Sequence, residues 1–70
     1  MSASITSFDP VGRRLVVLKG GPGAEREVSL RSGEAVARAL RTTGAIVEEI
    51  EVTGTDISIP DGTDLVFNLI

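Results

Sequence analysis

The pattern of apolar and polar positions predicts three strands and one helix. Residues 15–18, "LVVL", are continuously apolar and are soon followed by Gly20 and Gly21. Such a run is typical of a short strand that is covered on both faces of a parallel sheet. The segment 45–52, "AIVEEIEV", predicts a second strand, half exposed because its three glutamates must reach water. The segment 65–70, "LVFNLI", predicts a third strand that is apolar enough to be buried in the centre of a sheet.

The helix is predicted between the first two strands, and Gly44 is well placed to end it. Its core-facing side is predicted from the residues that recur at helical spacing: Val28, Ser32, Ala35, Val36, Ala39 and Leu40. Glu27 and Arg31 are four residues apart and predict an ion pair on the other side. Gly33 costs the middle of a helix about 1 kcal/mol relative to alanine. Close packing of the helix on the sheet explains its presence.

The order of these elements predicts an α/β fold based on a βαβ unit. Its first two strands should be parallel with a right-handed crossover, and we expect an all-parallel, Rossmann-like sheet in the order 2-1-3. Residues 1–13 are mostly small, polar and turn-forming, and predict a mobile leader. Residues 14–70 then begin a domain that is incomplete at its carboxyl end, because a central strand needs cover on both faces and one helix is present. We therefore expect the 70 residues to be the beginning of a larger protein.

Composition narrows the possible chemistry. The chain has no cysteine and no histidine, which excludes disulfides and the usual zinc sites. General acid–base work would fall to Asp, Glu or Lys, so the chain is expected to complete no chemistry alone. Its net charge is −3, and its seven basic residues are interleaved with acids, which argues against nucleic acid as a partner. No stretch approaches the length of a membrane span, so we expect a cytoplasmic protein.

The turn "GGPGAEREVSL", residues 20–30, is the strongest local motif. The dinucleotide fingerprint G-x-G-x-x-G also follows a strand and opens a helix, and Gly21 and Gly23 fit its first two glycines. Arg26 occupies the third position, however, and Glu25 would place negative charge near a pyrophosphate. A Rossmann-like dinucleotide-binding module is therefore a disfavoured alternative. A second alternative is a non-catalytic protein that assembles with another chain through its third strand.

Glu25 itself has two interpretations at this point. A carboxylate beside a tight turn at the carboxyl end of a strand can receive an ammonium group through a charge-assisted hydrogen bond. An acid in the first turn of a helix can instead simply offset the helix dipole. The residues alone leave both interpretations open.

The segment "VVLKGGPGAEREVSLRSGEAVARALRTTG" resembles the amino-terminal segment of D-alanine–D-alanine ligases, members of the ATP-grasp superfamily. "AEREVSL" after "GG" carries most of this resemblance, and "DLVFNLI" resembles the next strand of the family. The resemblance implies that Glu25 binds the α-ammonium of the first D-alanine and that Val28 lies beside that substrate. It also implies a Rossmann-like, pre-ATP-grasp subdomain in which the glycines let the turn approach an amino acid.

The same resemblance implies the activity of a full-length parent protein. ATP phosphorylates the carboxylate of the first D-alanine, the amine of a second D-alanine attacks the acyl phosphate, and the dipeptide feeds peptidoglycan synthesis. ATP and Mg²⁺ would bind outside this chain, and the parent would be a cytoplasmic homodimer. Ligases that join D-alanine to D-lactate or D-serine belong to the same family and stay open as alternatives. The chain departs from the family pattern at Lys19, where an apolar residue is common, and at Gly23, where a serine is common.

Overall fold

The computed structural model describes residues 9–54 and 56–70. Its elements, in chain order, are β1 (Arg14–Gly20), α1 (Arg26–Arg41), β2 (Ile46–Val52) and β3 (Leu65–Asn68). The first eight residues of the predicted leader lie outside the described part. Just before β1, the N–H of Gly12 donates a hydrogen bond to the C=O of Gly44 at 3.0 Å, so this segment contacts the end of the helix region.

The three strands form one sheet in the order β2-β1-β3, and both neighbouring pairs are parallel. Val17, in the middle of β1, is in register with Glu49 on β2 and with Phe67 on β3. The predicted fold class, the strand order and the parallel third strand are therefore confirmed. The carboxyl ends of β1 and β3 lie side by side, which is where open parallel sheets bind their ligands.

β1 is buried on both faces, as its continuous apolar run predicts. Leu15, Val16, Val17 and Leu18 are each at most 5% exposed. Because side chains alternate along a strand, Val16 and Leu18 share one face, where they form an apolar cluster with Val52. Lys19 lies on the other face, which α1 covers.

The face of α1 that packs on the sheet differs from the predicted one. The buried residues of the helix are Ser29, Gly33 and Ala37, at intervals of four, whereas Val28 is 63% exposed. The reason is the short distance between helix and strand. A Cβ atom added to Gly33 would lie 2.5 Å from the Cβ of Lys19, so only a stripe of small residues fits there. The predicted close packing at Gly33 is confirmed.

β3 lies at an edge of the sheet, and its prediction as a buried strand is wrong for the described residues. Leu65 and Val66 are 41% and 42% exposed. α1 contacts β1 and β2 but not β3, so the helix leaves the apolar side chains of this strand partly uncovered.

Within the described residues, no helix combines the length and the apolar character that crossing a bilayer requires.

Candidate functional site at the glycine turn

A cavity of about 390 Å³ lies where β1 ends, α1 begins and the chain leaves β3. It is lined by Gly20, Pro22, Glu25, Val28, Ser29, Ser32, Leu69 and Ile70. The parallel sheet creates this place, because it brings the carboxyl ends of β1 and β3 to the same edge as the amino end of the crossover helix. Both residues that the sequence singles out, Glu25 and Val28, line the cavity.

The turn between β1 and α1 needs its glycines for conformational reasons. Gly20, Gly21 and Gly23 have φ angles of 92°, 82° and 100°, in the region that side chains rarely adopt. Gly21 also lies against Ile70, since a Cβ atom there would come within 2.6 Å of the Ile70 side chain. The turn is therefore both bent sharply and pressed against the chain that leaves β3.

Glu25 occupies the N-cap position of α1, but its side chain makes no capping hydrogen bond. Among the described residues, none of the ion pairs includes its carboxylate. Glu27, two residues later, forms an exposed pair with Arg31 at 4.0 Å. The Glu25 carboxylate thus lies at the cavity without a cationic partner in the described part of the chain, as a receptor for an ammonium group requires.

Val28 lies one helical turn after Glu25 and is exposed at the cavity. Its interpretation as a core residue, which helical periodicity suggests, is wrong. The position beside a substrate, which the family resemblance implies, stays a prediction.

Ser29 connects the three segments that meet at the cavity. Its hydroxyl accepts a hydrogen bond from the N–H of Gly20 at 2.8 Å and donates one to the C=O of Leu69 at 2.6 Å. Both hydrogen bonds of the hydroxyl therefore join parts of the fold. The sequence does not predict that its partners are 9 and 40 residues away.

The contacts that Arg26 makes, like those of Ser29, are not predicted from the sequence. Its guanidinium donates to the C=O of Gly21 at 3.3 Å and to the C=O of Val52 at 3.1 Å, and it forms an ion pair with Glu51. The signal in the sequence was its position, the one that a third glycine takes in the dinucleotide fingerprint. An arginine there fills the space that the fingerprint keeps open.

Two backbone donors at the start of the turn are used within the fold. The N–H of Gly20 is bonded to Ser29, and the N–H of Gly21 donates to the C=O of Val52 at 2.7 Å. Dinucleotide-binding turns use their glycine backbone and the helix N-terminus to hold a pyrophosphate. The Glu25 carboxylate, which lines the same cavity, favours a cation over an anion beside it.

The described residues contain no group of three or more Asp, Glu, His or Cys side chains that could hold a metal ion.

Comparison with known proteins finds D-alanine–D-alanine ligases among the relatives of this chain. The chain is 44% identical over 55 residues to the D-alanine–D-alanine ligase of Methylacidiphilum infernorum, an alignment that covers 79% of this chain and 18% of the relative. It is 48% identical over 60 residues to the D-alanine–D-alanine ligase of Methylococcus capsulatus, covering 81% of this chain and 19% of the relative. A similar ligase of Desulforudis audaxviator is 60% identical over 40 residues, or 57% of this chain and 13% of the relative.

The chain thus spans less than a fifth of the length of these three curated relatives. No family model and no solved structure matches it. The similarity to D-alanine–D-alanine ligases that the turn motif indicates is therefore confirmed at the level of curated sequences.

Proposed function

We propose that this chain, which is related in sequence to D-alanine–D-alanine ligases, is the amino-terminal segment of such a ligase, here called the full-length parent. The parent would join two D-alanines into D-alanyl-D-alanine with ATP and Mg²⁺, and its product would enter peptidoglycan synthesis. The 70-residue chain would contribute part of the site for the first D-alanine and would be inactive alone. ATP and Mg²⁺ would bind to parts of the parent outside this chain.

The observation that carries this proposal is the environment of Glu25. Its carboxylate lines a cavity at the ligand-binding edge of a parallel sheet and has neither a capping bond nor an ion-pair partner among the described residues. A zwitterionic amino acid would place its ammonium against this carboxylate, and the bond would be charge-assisted. Val28 would contact the apolar part of the same substrate.

Steady-state kinetics of the full-length parent test the proposal. Glu25→Gln keeps the size of the side chain but removes the charge, and hydrogen bonds to charged groups contribute about 1.5–3 kcal/mol. The Michaelis constant for the first D-alanine should therefore rise about ten- to a hundredfold, since 1.4 kcal/mol corresponds to about a factor of ten.

Glu27→Gln is the matched control, because it makes the same change two residues away on an exposed carboxylate paired with Arg31. It should leave that constant unchanged. An unaltered constant in Glu25→Gln would contradict the proposal, as would an equal effect of the two substitutions.

The family resemblance supports further features of the parent: a cytoplasmic location and a homodimeric state. It leaves open D-lactate or D-serine as the second substrate, because residues that select it would lie outside this chain. Product analysis of the parent supplied with ATP, D-alanine and each of these second substrates would decide among the three activities.

A further inference from the structure

Arg26 joins three parts of the fold through one side chain. It is the first residue of α1, directly after Glu25. Its guanidinium reaches the C=O of Gly21 in the turn at 3.3 Å, the C=O of Val52 at the end of β2 at 3.1 Å, and the carboxylate of Glu51. The planar guanidinium can donate to several acceptors at once, which a lysine ammonium does less precisely.

The contacts around Arg26 leave little freedom for the turn. The C=O of Val52 accepts hydrogen bonds both from Arg26 and from the N–H of Gly21, the latter at 2.7 Å. A Cβ atom on Gly20 would lie 3.1 Å from both the guanidinium and the Val52 oxygen. The start of the helix, the glycine turn and the end of β2 are therefore held at fixed distances from one another.

The charge of Arg26 is compensated where it lies. A cation one residue from Glu25 would by itself weaken the attraction of the site for an ammonium group. The ion pair with Glu51 offsets the positive charge of Arg26. The negative charge of Glu25, which lines the cavity, is therefore not cancelled by its neighbour.

From these contacts we infer that Arg26 is a positioning residue for Glu25. Arg26 holds the first turn of α1 against the end of β2, and this fixes where the Glu25 carboxylate lies in the cavity that would receive an amino-acid ammonium. This inference rests on the proposed role of Glu25. It adds a specific prediction, namely that Arg26 determines affinity at the first amino-acid site without contacting the substrate.

The test compares Arg26→Met, Arg26→Lys and Arg31→Met in the full-length parent. Arg31 is the matched control, because it lies on the same helix in an exposed pair with Glu27. Small displacements of a binding group reduce rates and affinities strongly, so Arg26→Met should raise the first-site Michaelis constant about tenfold. The second-site constant and kcat should stay within about a factor of two. Arg26→Lys should lie between Arg26→Met and wild type, and Arg31→Met should behave as wild type.

Hydrogen exchange provides a readout that does not depend on activity. The amide of Gly21 should exchange faster in Arg26→Met than in wild type, because its acceptor on Val52 loses a fixed position, whereas Arg31→Met should leave its exchange unchanged. If Arg26→Met does not fold, the same comparison with Arg26→Lys decides the question.

The outcomes separate this inference from the proposed function. If Glu25→Gln weakens first-site binding but both Arg26 substitutions behave as Arg31→Met, the inference is overturned and the proposed function stands. If the wild-type parent does not use D-alanine, the proposed function fails, and with it the part of the inference that concerns the ammonium. An equal rise of both Michaelis constants, or a loss of kcat alone, would indicate a general structural role and would also overturn the inference.

Discussion

Glu49 lies on the helix-covered face of the sheet and forms ion pairs with two cations. The ammonium of Lys19, whose side chain is 13% exposed, lies 2.6 Å from one of its oxygens, and the guanidinium of Arg41 lies 2.7 Å from the other. The hydrogen bond from Lys19, followed by that from Arg41, lowers the pKa of Glu49 below its ordinary value of 4.5. The folded state therefore favours the ionised carboxylate.

This lowered pKa predicts a pH dependence of stability. A carboxyl group whose pKa is lower in the folded than in the unfolded state stabilises the fold above its unfolded pKa, and this contribution is lost as the pH falls through the folded pKa. Glu49→Gln should therefore destabilise the chain at about pH 7, and its difference from wild type should shrink as the pH falls below about 4.5. Urea unfolding followed by far-ultraviolet circular dichroism measures both.

Glu48→Gln is the control for this experiment, because Glu48 is an exposed neighbour on the same strand and none of the ion pairs among the described residues includes it. Its effect should be small and independent of pH. A Glu49→Gln difference that stays the same from neutral to acidic pH would show that the carboxylate is not held by these two cations.

The ion-pair partners of the acidic residues of β2 could not be predicted from the sequence. The sequence predicts that Glu48, Glu49 and Glu51 reach water. Glu48 and Glu51 do so, and Glu51 also pairs with Arg26. Glu49 is less exposed and bonds to Lys19 and Arg41. These partners are 8 to 30 residues away along the chain. Only the register of the parallel strands and the position of the helix bring them together, and a single sequence gives neither.

At the scale of elements, the stripe Ser29, Gly33 and Ala37 determines how closely α1 approaches β1. Gly33 lies on Lys19, where an added Cβ atom would be 2.5 Å from the Cβ and 2.9 Å from the Cδ of that side chain. The Cβ atom is attached to the backbone of the central strand and cannot move independently. The helix can therefore lie this close only while position 33 has no side chain.

Gly33→Ala accordingly sets two effects against each other. Alanine improves helix propensity by about 1 kcal/mol, but overpacking typically costs about 1–3 kcal/mol. We expect net destabilisation, because the clash involves an atom fixed to the backbone. Equilibrium unfolding in urea measures the sign.

Ala35→Gly, at an exposed position of the same helix, measures the propensity term separately and should cost about 1 kcal/mol. If Gly33→Ala instead stabilised the chain by the amount that Ala35→Gly loses, helix propensity alone would govern position 33, and the close packing described above would be wrong.

The helix also shows why the order of elements is easier to predict than their packing. The strand–helix–strand order, the parallel sheet and the burial of residues 15–18 follow from runs and periods of apolar residues. The face of α1 does not, because Ser29, Gly33 and Ala37 contribute little hydrophobicity, whereas the more apolar Val28 faces the cavity. The signal in the sequence is the spacing of four between these small residues, of which the prediction of close packing uses only Gly33.

At the scale of the whole molecule, the cavity at the glycine turn combines residues from two distant parts of the described chain. The fold brings Glu25 and Val28 to the same cavity as Leu69 and Ile70. The sequence supplied Glu25 and Val28 through family resemblance, whereas periodicity alone assigned Val28 to the core. Arg26 and Ser29, which hold the turn in place, became evident only from the three-dimensional contacts.

The central claim is that the Glu25 carboxylate receives an ammonium group, and ligand binding tests it most directly. The affinities of D-alanine and D-lactate for the first site of the full-length parent would be measured by titration in wild type and in Glu25→Gln. D-lactate carries a hydroxyl where D-alanine carries the ammonium, so wild type should prefer D-alanine by about tenfold or more, and Glu25→Gln should lose most of that preference. A preference that survives the substitution, or an equal loss of affinity for both ligands, would contradict the claim.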